Sequence, residues 1–284
     1  MVVSRKPVDR REILAKLREN VEKGIPIIGA GAGIGISAKF EEAGGADLIV
    51  TYDSGRFRMH GRPSISGLLS FGDANSIVLE LAAEVLPVVE HTPVLAGVFA
   101  HDTFRFMDKY LQQLKDIGFS GVQNFPAFGG FEGNMREELE QVGYGVYNEI
   151  NMIKLAHDMD MLTTPYVFNE YECGEMVNAG ADIIVVHCGC TAGGSTGLKS
   201  DVAYELDTAI PYLERLAELA LKLNPNIFVL CHGGPLAEPE DVRYVLERTK
   251  NIHGFYGASS MERLPVERAI KAQVEAFKNL KTNI

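Results

Sequence analysis

His101-Asp102, Asn169-Glu170, His187 and His232 each follow or close a short run of Val, Ile, Leu or Phe. Imidazole titrates near neutrality, and carboxylates accept protons or hold metal ions. Such a set suits acid–base or metal-assisted catalysis. A single histidine at a strand end is ordinarily a packed residue. Three of the chain's seven at such places, accompanied by two carboxylates, point to a site. The expectation is that His101, Asp102, Glu170, His187 and His232 converge in one cavity. Glu149 and Asn151 are weaker candidates that could serve only to shape a helix.

Other segments offer grips for an anion. Tyr52-Asp53-Ser54-Gly55-Arg56-Phe57-Arg58 pairs a Ser-Gly turn with two guanidinium groups, which match carboxylate or phosphate in bidentate geometry. The long loop that follows ends in Gly72-Asp73-Ala74-Asn75. A loop near 25 residues in a compact protein is usually functional, so 53–75 reads as a mobile cover. Gly233-Gly234 and Gly257-Ala258-Ser259-Ser260 supply backbone amides and hydroxyls suited to an anion. Gly29-Ala30-Gly31-Ala32-Gly33-Ile34-Gly35 imitates a dinucleotide fingerprint. No acidic residue caps a following strand in the Rossmann manner, so close backbone approach explains it better.

The elements that must carry these residues alternate along the chain. Strands are expected from Ile25, Asp47, Pro93, Ser120, Leu162, Asp182, Asn226 and His253, with amphipathic helices such as TFRFMDKYLQQLKDIG and AIPYLERLAELALKL between them. Eight parallel strands with right-handed crossovers close into a (β/α)8 TIM barrel. An N-terminal extra helix near Val8–Lys23 should plug the bottom. The strand spacing suggests an internal duplication, with long insertions after strands 2 and 6. Barrel sites lie at the C-terminal ends of the strands, where the candidate residues gather.

Composition sets the bounds. A chain of 284 residues, 46% hydrophobic, fits one barrel domain over 1–284. Its net charge of −11 and the lack of a basic cluster argue against nucleic acid. No apolar run of about 20 residues is present for a membrane span. The four cysteines form no CxxC pair, which fits reduced thiols in the cytoplasm.

LTTPYVFN, LCHGGP and GFYGASSMERLPVE resemble the phosphoenolpyruvate hydrolase-like TIM-barrel family, which also supplies the C-terminal part of plant tobamovirus-resistance proteins. The resemblance runs from about Gly24 to Lys278. More distantly, GISAKFEEAGGADLIVTYDSG is similar to a segment of the phosphonopyruvate and isocitrate lyase-like superfamily. That likeness implies that Ser54 and Gly55 grip a substrate acid group, that Asp73 is catalytic, and that Asp102 is a magnesium ligand. The first aspartate of the superfamily's DxDT motif is absent here, with Phe99 and Ala100 in its place. Its Glu-Asp-Lys reads Gln123-Asn124-Phe125, and its KKCG loop is missing.

The reading is a hydrolase or lyase that cleaves a C–C, C–O or C–P bond of a small anionic oxo- or enol-acid. Ser54, Gly55, Arg56 and Arg58 would hold one acid group, and Gly233, Gly234, Gly257, Ala258, Ser259 and Ser260 a second anion. Asp73, His101, Glu170, His187 and His232 would supply proton transfer or metal ligation. A divalent metal (Mg or Zn) is an optional cofactor, and a homo-oligomer is the expected assembly. The rival reading is a non-catalytic anion- or nucleotide-binding module that acts through protein partners.

Overall fold

The computed structural model describes residues 6–199 and 205–282. Helix α1 (Arg10–Glu22) comes first, its N-terminus capped by Asp9, whose carboxylate accepts the Arg11 and Glu12 N–H groups. The strands are β1 (Ile27–Gly31), β2 (Leu48–Thr51), β3 (Val94–Gly97), β4 (Gly121–Gln123), β5 (Leu162–Thr163), β6 (Tyr166–Val167), β7 (Ile183–His187), β8 (Phe228–His232) and β9 (Gly254–Gly257). All neighbours pair in parallel, in the order β5-β4-β3-β2-β1-β9-β8-β7-β6. Only Thr164 and Pro165 separate β5 from β6. Proline has no N–H to give a ladder, so it interrupts what is otherwise one strand. That strand pairs with β4 through its first half and with β7 through its second, which closes the ring into an eight-stranded barrel. Each of the eight expected strands is present and starts within two residues of its expected position.

Side-chain alternation divides the core into two layers. Ile27, Leu48, Val50, Leu95, Ile183, Val185, Phe228 and Leu230 fill the barrel interior. Ile49, Val94, Ala96, Ile184, Val186, Val229 and Cys231 face the surrounding helices. Ile13 and Leu17 of α1 join the inner layer, so α1 plugs the barrel as expected. Arg10 fixes it there through two bonds to Asp182, at 2.6 and 2.9 Å.

The outer helices are α2 (Gly35–Ala43), α3 (Asp53–Met59), α4 (Ala74–Val85), α5 (Met107–Ile117), α6 (Gly133–Gln141), α7 (Val146–Asp158), α8 (Glu170–Asn178), α9 (Leu206–Leu223), α10 (Pro239–Leu246) and α11 (Arg263–Lys278). The segment 53–75, expected as a mobile cover, begins with α3 and continues into a 3-10 turn at Ser64–Leu68. The glycine-rich segment after β1 is explained by close approach. A Cβ on Gly33 would lie 2.0 Å from the Gly55 carbonyl oxygen, so loop and α3 meet only because both residues lack side chains.

Helix α11 stands apart from the rest. Beyond Leu264 it is largely uncovered, and Ile270, Val274 and Phe277 are each more than 60% exposed at i, i+4 and i+7. Beside it an apolar groove of about 540 Å³ runs over the outer faces of β1 and β9, lined by Ile28, Val242, Leu246, Phe255 and Met261. No described helix is long and apolar enough to cross a membrane.

Candidate active site

A cavity of about 580 Å³ opens at the C-terminal end of the barrel. Its floor follows from the strand alternation. Leu48 and Val50 point inward, so Tyr52 does as well, and it is 2% exposed. The chain then turns directly into α3, where Ser54 and Arg58 lie four residues apart on one face. Arg58 Nη1 donates to Ser54 Oγ at 3.1 Å. Arg58 Nε and Nη2 lie 2.9 and 2.8 Å from Glu262 Oε1, and Nη2 also donates to the Gly31 carbonyl. The second Glu262 oxygen accepts the Gly33 N–H at 2.8 Å.

This ion pair is fully enclosed, with side-chain exposures of 1% and 0%. Desolvation raises the Glu262 pKa, and the Arg58 charge and the Gly33 N–H oppose that rise. The Tyr52 phenol is a further hydrogen-bond partner of the guanidinium. Ser54 Oγ receives the Arg58 proton and keeps its own O–H free. Ser54 and Arg58 both line the cavity. Ala258 and Ser259 complete that wall, with Ser259 Oγ 3.1 Å from Ser64 Oγ.

His187 and His232 stand opposite. They are paired residues of β7 and β8, and their ring centroids are 4.7 Å apart. The backbone fixes their tautomers. The Gly189 N–H donates to His187 Nδ1 at 2.9 Å, so that nitrogen carries no proton and Nε2 bears the N–H. The Tyr256 carbonyl can only accept, so His232 Nδ1, 2.6 Å away, carries the proton and Nε2 has the lone pair. Desolvation holds His187 well below the usual histidine range, assisted by His232. It lowers His232 to about 4 against the opposing Tyr256 hydrogen bond. At neutral pH both rings are therefore neutral. One presents a donor and the other an acceptor.

The five side chains expected to meet are divided between two cavities and the surface. His101, Asp102 and Asp73 line a second cavity of about 530 Å³. Glu170 begins α8, is 51% exposed, and bonds Arg215 at the rim of the first cavity at 2.5 Å. Arg56 turns outward to Glu80 and Glu84 of α4. Gly233 and Gly234 form a tight turn with φ of +73° and +58°. The Gly234 N–H is taken by the Gly189 carbonyl at 2.8 Å, so the turn does not offer that amide to an anion. Gly257 lies within β9, and Ser260 faces the outer groove beside α11.

The metal expectation for Asp102 does not fit this donor set. One Asp102 oxygen accepts from Asn75 and Arg105, and the other from the Phe104 N–H. Arg105 also binds Asp73 through both carboxylate oxygens. Among the described residues, no three His, Cys, Asp or Glu side chains gather as metal ligands. Glu149 is buried, as a structural anchor: it accepts from Asn124 Nδ2 and the Phe128 N–H, and desolvation raises its pKa to about 8. Tyr52, Tyr166 and Glu262 also belong to this site and lie outside the set expected from the sequence. Strand alternation signals both tyrosines, whereas Glu262 lies in a turn after β9 and gives no such signal.

Fold and cavity together define an α/β barrel with a cavity at the C-terminal end of its strands. The chain belongs to the phosphoenolpyruvate hydrolase-like family, which matches residues 12–280. The ToMV susceptible protein tm-1(GCR26) of Solanum lycopersicum is 58% identical over 268 residues, covering 94% of this chain and 35% of that protein. The ToMV resistance protein Tm-1(GCR237) of the same plant is 57% identical, with coverage of 95% and 36%. The chain thus spans about a third of the length of these relatives. Among solved structures, a phosphoenolpyruvate phosphomutase from Streptomyces platensis subsp. rosaceus has a TM-score of 0.58 at 16% identity, covering 93% of this chain and 86% of its own. A phosphonopyruvate hydrolase complexed with oxalate and Mg++ gives 0.58 at 14% identity, with coverage of 95% and 88%. These likenesses concern the fold.

Proposed function

We propose that the chain is an enzyme that cleaves a C–C, C–O or C–P bond of a small anionic oxo- or enol-acid in the cavity above Tyr52. One observation carries this reading: two neutral histidines in complementary tautomers face a buried guanidinium and a free hydroxyl across one chamber. The substrate carboxylate accepts from Ser54 Oγ beside the Arg58 guanidinium. The 2-oxo oxygen accepts from His187 Nε2–H. His232 Nε2 takes the proton released by the attacking water or by a substrate hydroxyl.

When a C–C or C–P bond to the carbon beside the 2-oxo group breaks, its electron pair moves through that carbon onto the 2-oxo oxygen, giving an enolate, and the proton taken up by His232 returns to that carbon. Preorganised donors aimed at that oxygen are worth most where water is excluded. Neutral imidazole is a suitable donor here, because it stabilises the oxygen without first giving up its proton. Arg215 at the rim is held by Glu170, so the pair adds no net charge on the path of entry. The oxalate in the solved phosphonopyruvate hydrolase supports this substrate class, since a planar dicarboxylate mimics an enolate of a 2-oxo acid.

The test is turnover of a panel of 2-oxo acids, including oxaloacetate and phosphonopyruvate, followed by NMR. The expected result is cleavage of at least one, abolished in His232→Asn. If none is cleaved while oxalate still binds, the site is a binding module, a role open to relatives known for viral susceptibility and resistance.

The assembly proposed for this enzyme is a homo-oligomer in which α11 of one copy covers the β1–β9 groove of another. The groove lies where a barrel of this kind carries an outer helix, and α11 bears the apolar stripe that such a helix needs. Light scattering should show a dimer or larger at micromolar concentration, and Ile270→Asp with Phe277→Asp should give monomers. A monomeric parent protein contradicts this assembly.

A further inference from the structure

The second cavity differs from the first in chemistry. Phe99, Phe128, Phe131 and Tyr144 supply much of its wall, and Leu68 and Ala127 divide it from the first cavity. His101 sits among these rings at centroid distances of 5.5 Å to Phe99, 5.5 Å to Phe128 and 6.5 Å to Tyr144. Its Nε2 lies 2.9 Å from the Gly145 carbonyl, which can only accept, so Nε2 carries the proton and Nδ1 has a lone pair. No group among the described residues donates to Nδ1. The residue is 5% exposed, and Nδ1 is not among the sealed side-chain atoms, so its lone pair opens onto the cavity that the residue lines.

The rim decides the charge of the occupant. Asp73 and Asp102 stand there with one guanidinium, Arg105, bridging them. Two carboxylates against one cation leave a local excess of negative charge, which disfavours the anions suited to the first cavity. Aromatic walls around a ring favour stacked or edge-on partners, and a volume near 530 Å³ lies within the range of small-molecule pockets.

We infer that this cavity binds an uncharged planar aromatic molecule whose single N–H or O–H donates to His101 Nδ1. Burial lowers the His101 pKa and keeps that lone pair available at neutral pH. The site is independent of the chemistry assigned to the first cavity.

Indole is a direct probe, because the chain contains no tryptophan to mask its emission. Titration with protein should shift indole emission to the blue in a saturable manner. N-methylindole, which keeps the rings and lacks the donor, should bind about tenfold more weakly, as one lost hydrogen bond implies. His101→Phe should remove the difference between the two probes. Leu139→Tyr, made on the partly exposed helix α6, should intrude on the ring-binding space and weaken both by about tenfold or more. The inference is overturned if indole does not saturate, if N-methylindole binds as tightly as indole, or if Leu139→Tyr changes neither affinity.

Discussion

Replacing Arg58 with Met should cost about 3–5 kcal/mol, the usual result of leaving one member of a buried ion pair alone. Glu262 is 0% exposed at its side chain, and its remaining partners would be the uncharged Gly33 N–H and Ser37 hydroxyl. Urea denaturation should show the loss, together with loss of anion binding. The double variant Arg58→Met, Glu262→Gln removes both charges and keeps an oxygen for Gly33. It should recover most of the stability and none of the binding. That split separates the two duties of the guanidinium, which are to neutralise a buried carboxylate and to face the acid group in the cavity. If the single variant were as stable as the parent, the pair would not be the enclosed unit described.

The second large effect is on pH dependence. His232 is neutral in the folded chain down to about pH 4 and titrates in the unfolded chain near its ordinary value of 6.5. Between these values the unfolded state binds more protons. Stability is therefore full above 6.5 and falls as pH drops through the window toward 4. The group's share of that fall is about 3 kcal/mol, and His187, shifted in the same direction, adds to it. His232→Asn should flatten the acid limb, since Asn Nδ2 can still donate toward the Tyr256 carbonyl. In catalysis, kcat/KM should hold level from about pH 8 to 5 and fall with a midpoint near 4. A limb centred near 6.5 would place the working base elsewhere. The same variant should lower kcat by about 10²–10⁴ and leave oxalate affinity largely intact.

The barrel was legible because period-two alternation and strand spacing are local properties. The site was legible only where those properties extend into it. His187 and His232 end β7 and β8 at inward positions that follow Ile183 and Val185, and Phe228 and Leu230. Strand parity therefore fixes their direction. His101 and Asp102 lie four and five residues beyond the end of β3 at Gly97, so loop geometry directs them, and it sends them to the neighbouring chamber. Arg56 and Arg58 illustrate the same limit on a helix. Two residues apart on α3, they sit about 200° apart around its axis, so one faces Glu262 and the other Glu80. A loop reading of 53–75 cannot distinguish them. Glu170 was misleading because its place after Asn169 is a helix start, where a carboxylate favours the dipole and solvent. The double glycine was read as an anion cradle, but its positive φ values and its contact with Cys188-Gly189 serve the turn itself.

Calorimetric titration with oxalate tests most directly whether the cavity above Tyr52 is the place where a small acid binds. The predicted result is saturable one-site binding to the parent protein that is lost in the Arg58→Met, Glu262→Gln variant while its denaturation midpoint stays near that of the parent. Oxalate that fails to bind the parent, or that binds this variant equally well, would contradict the assignment.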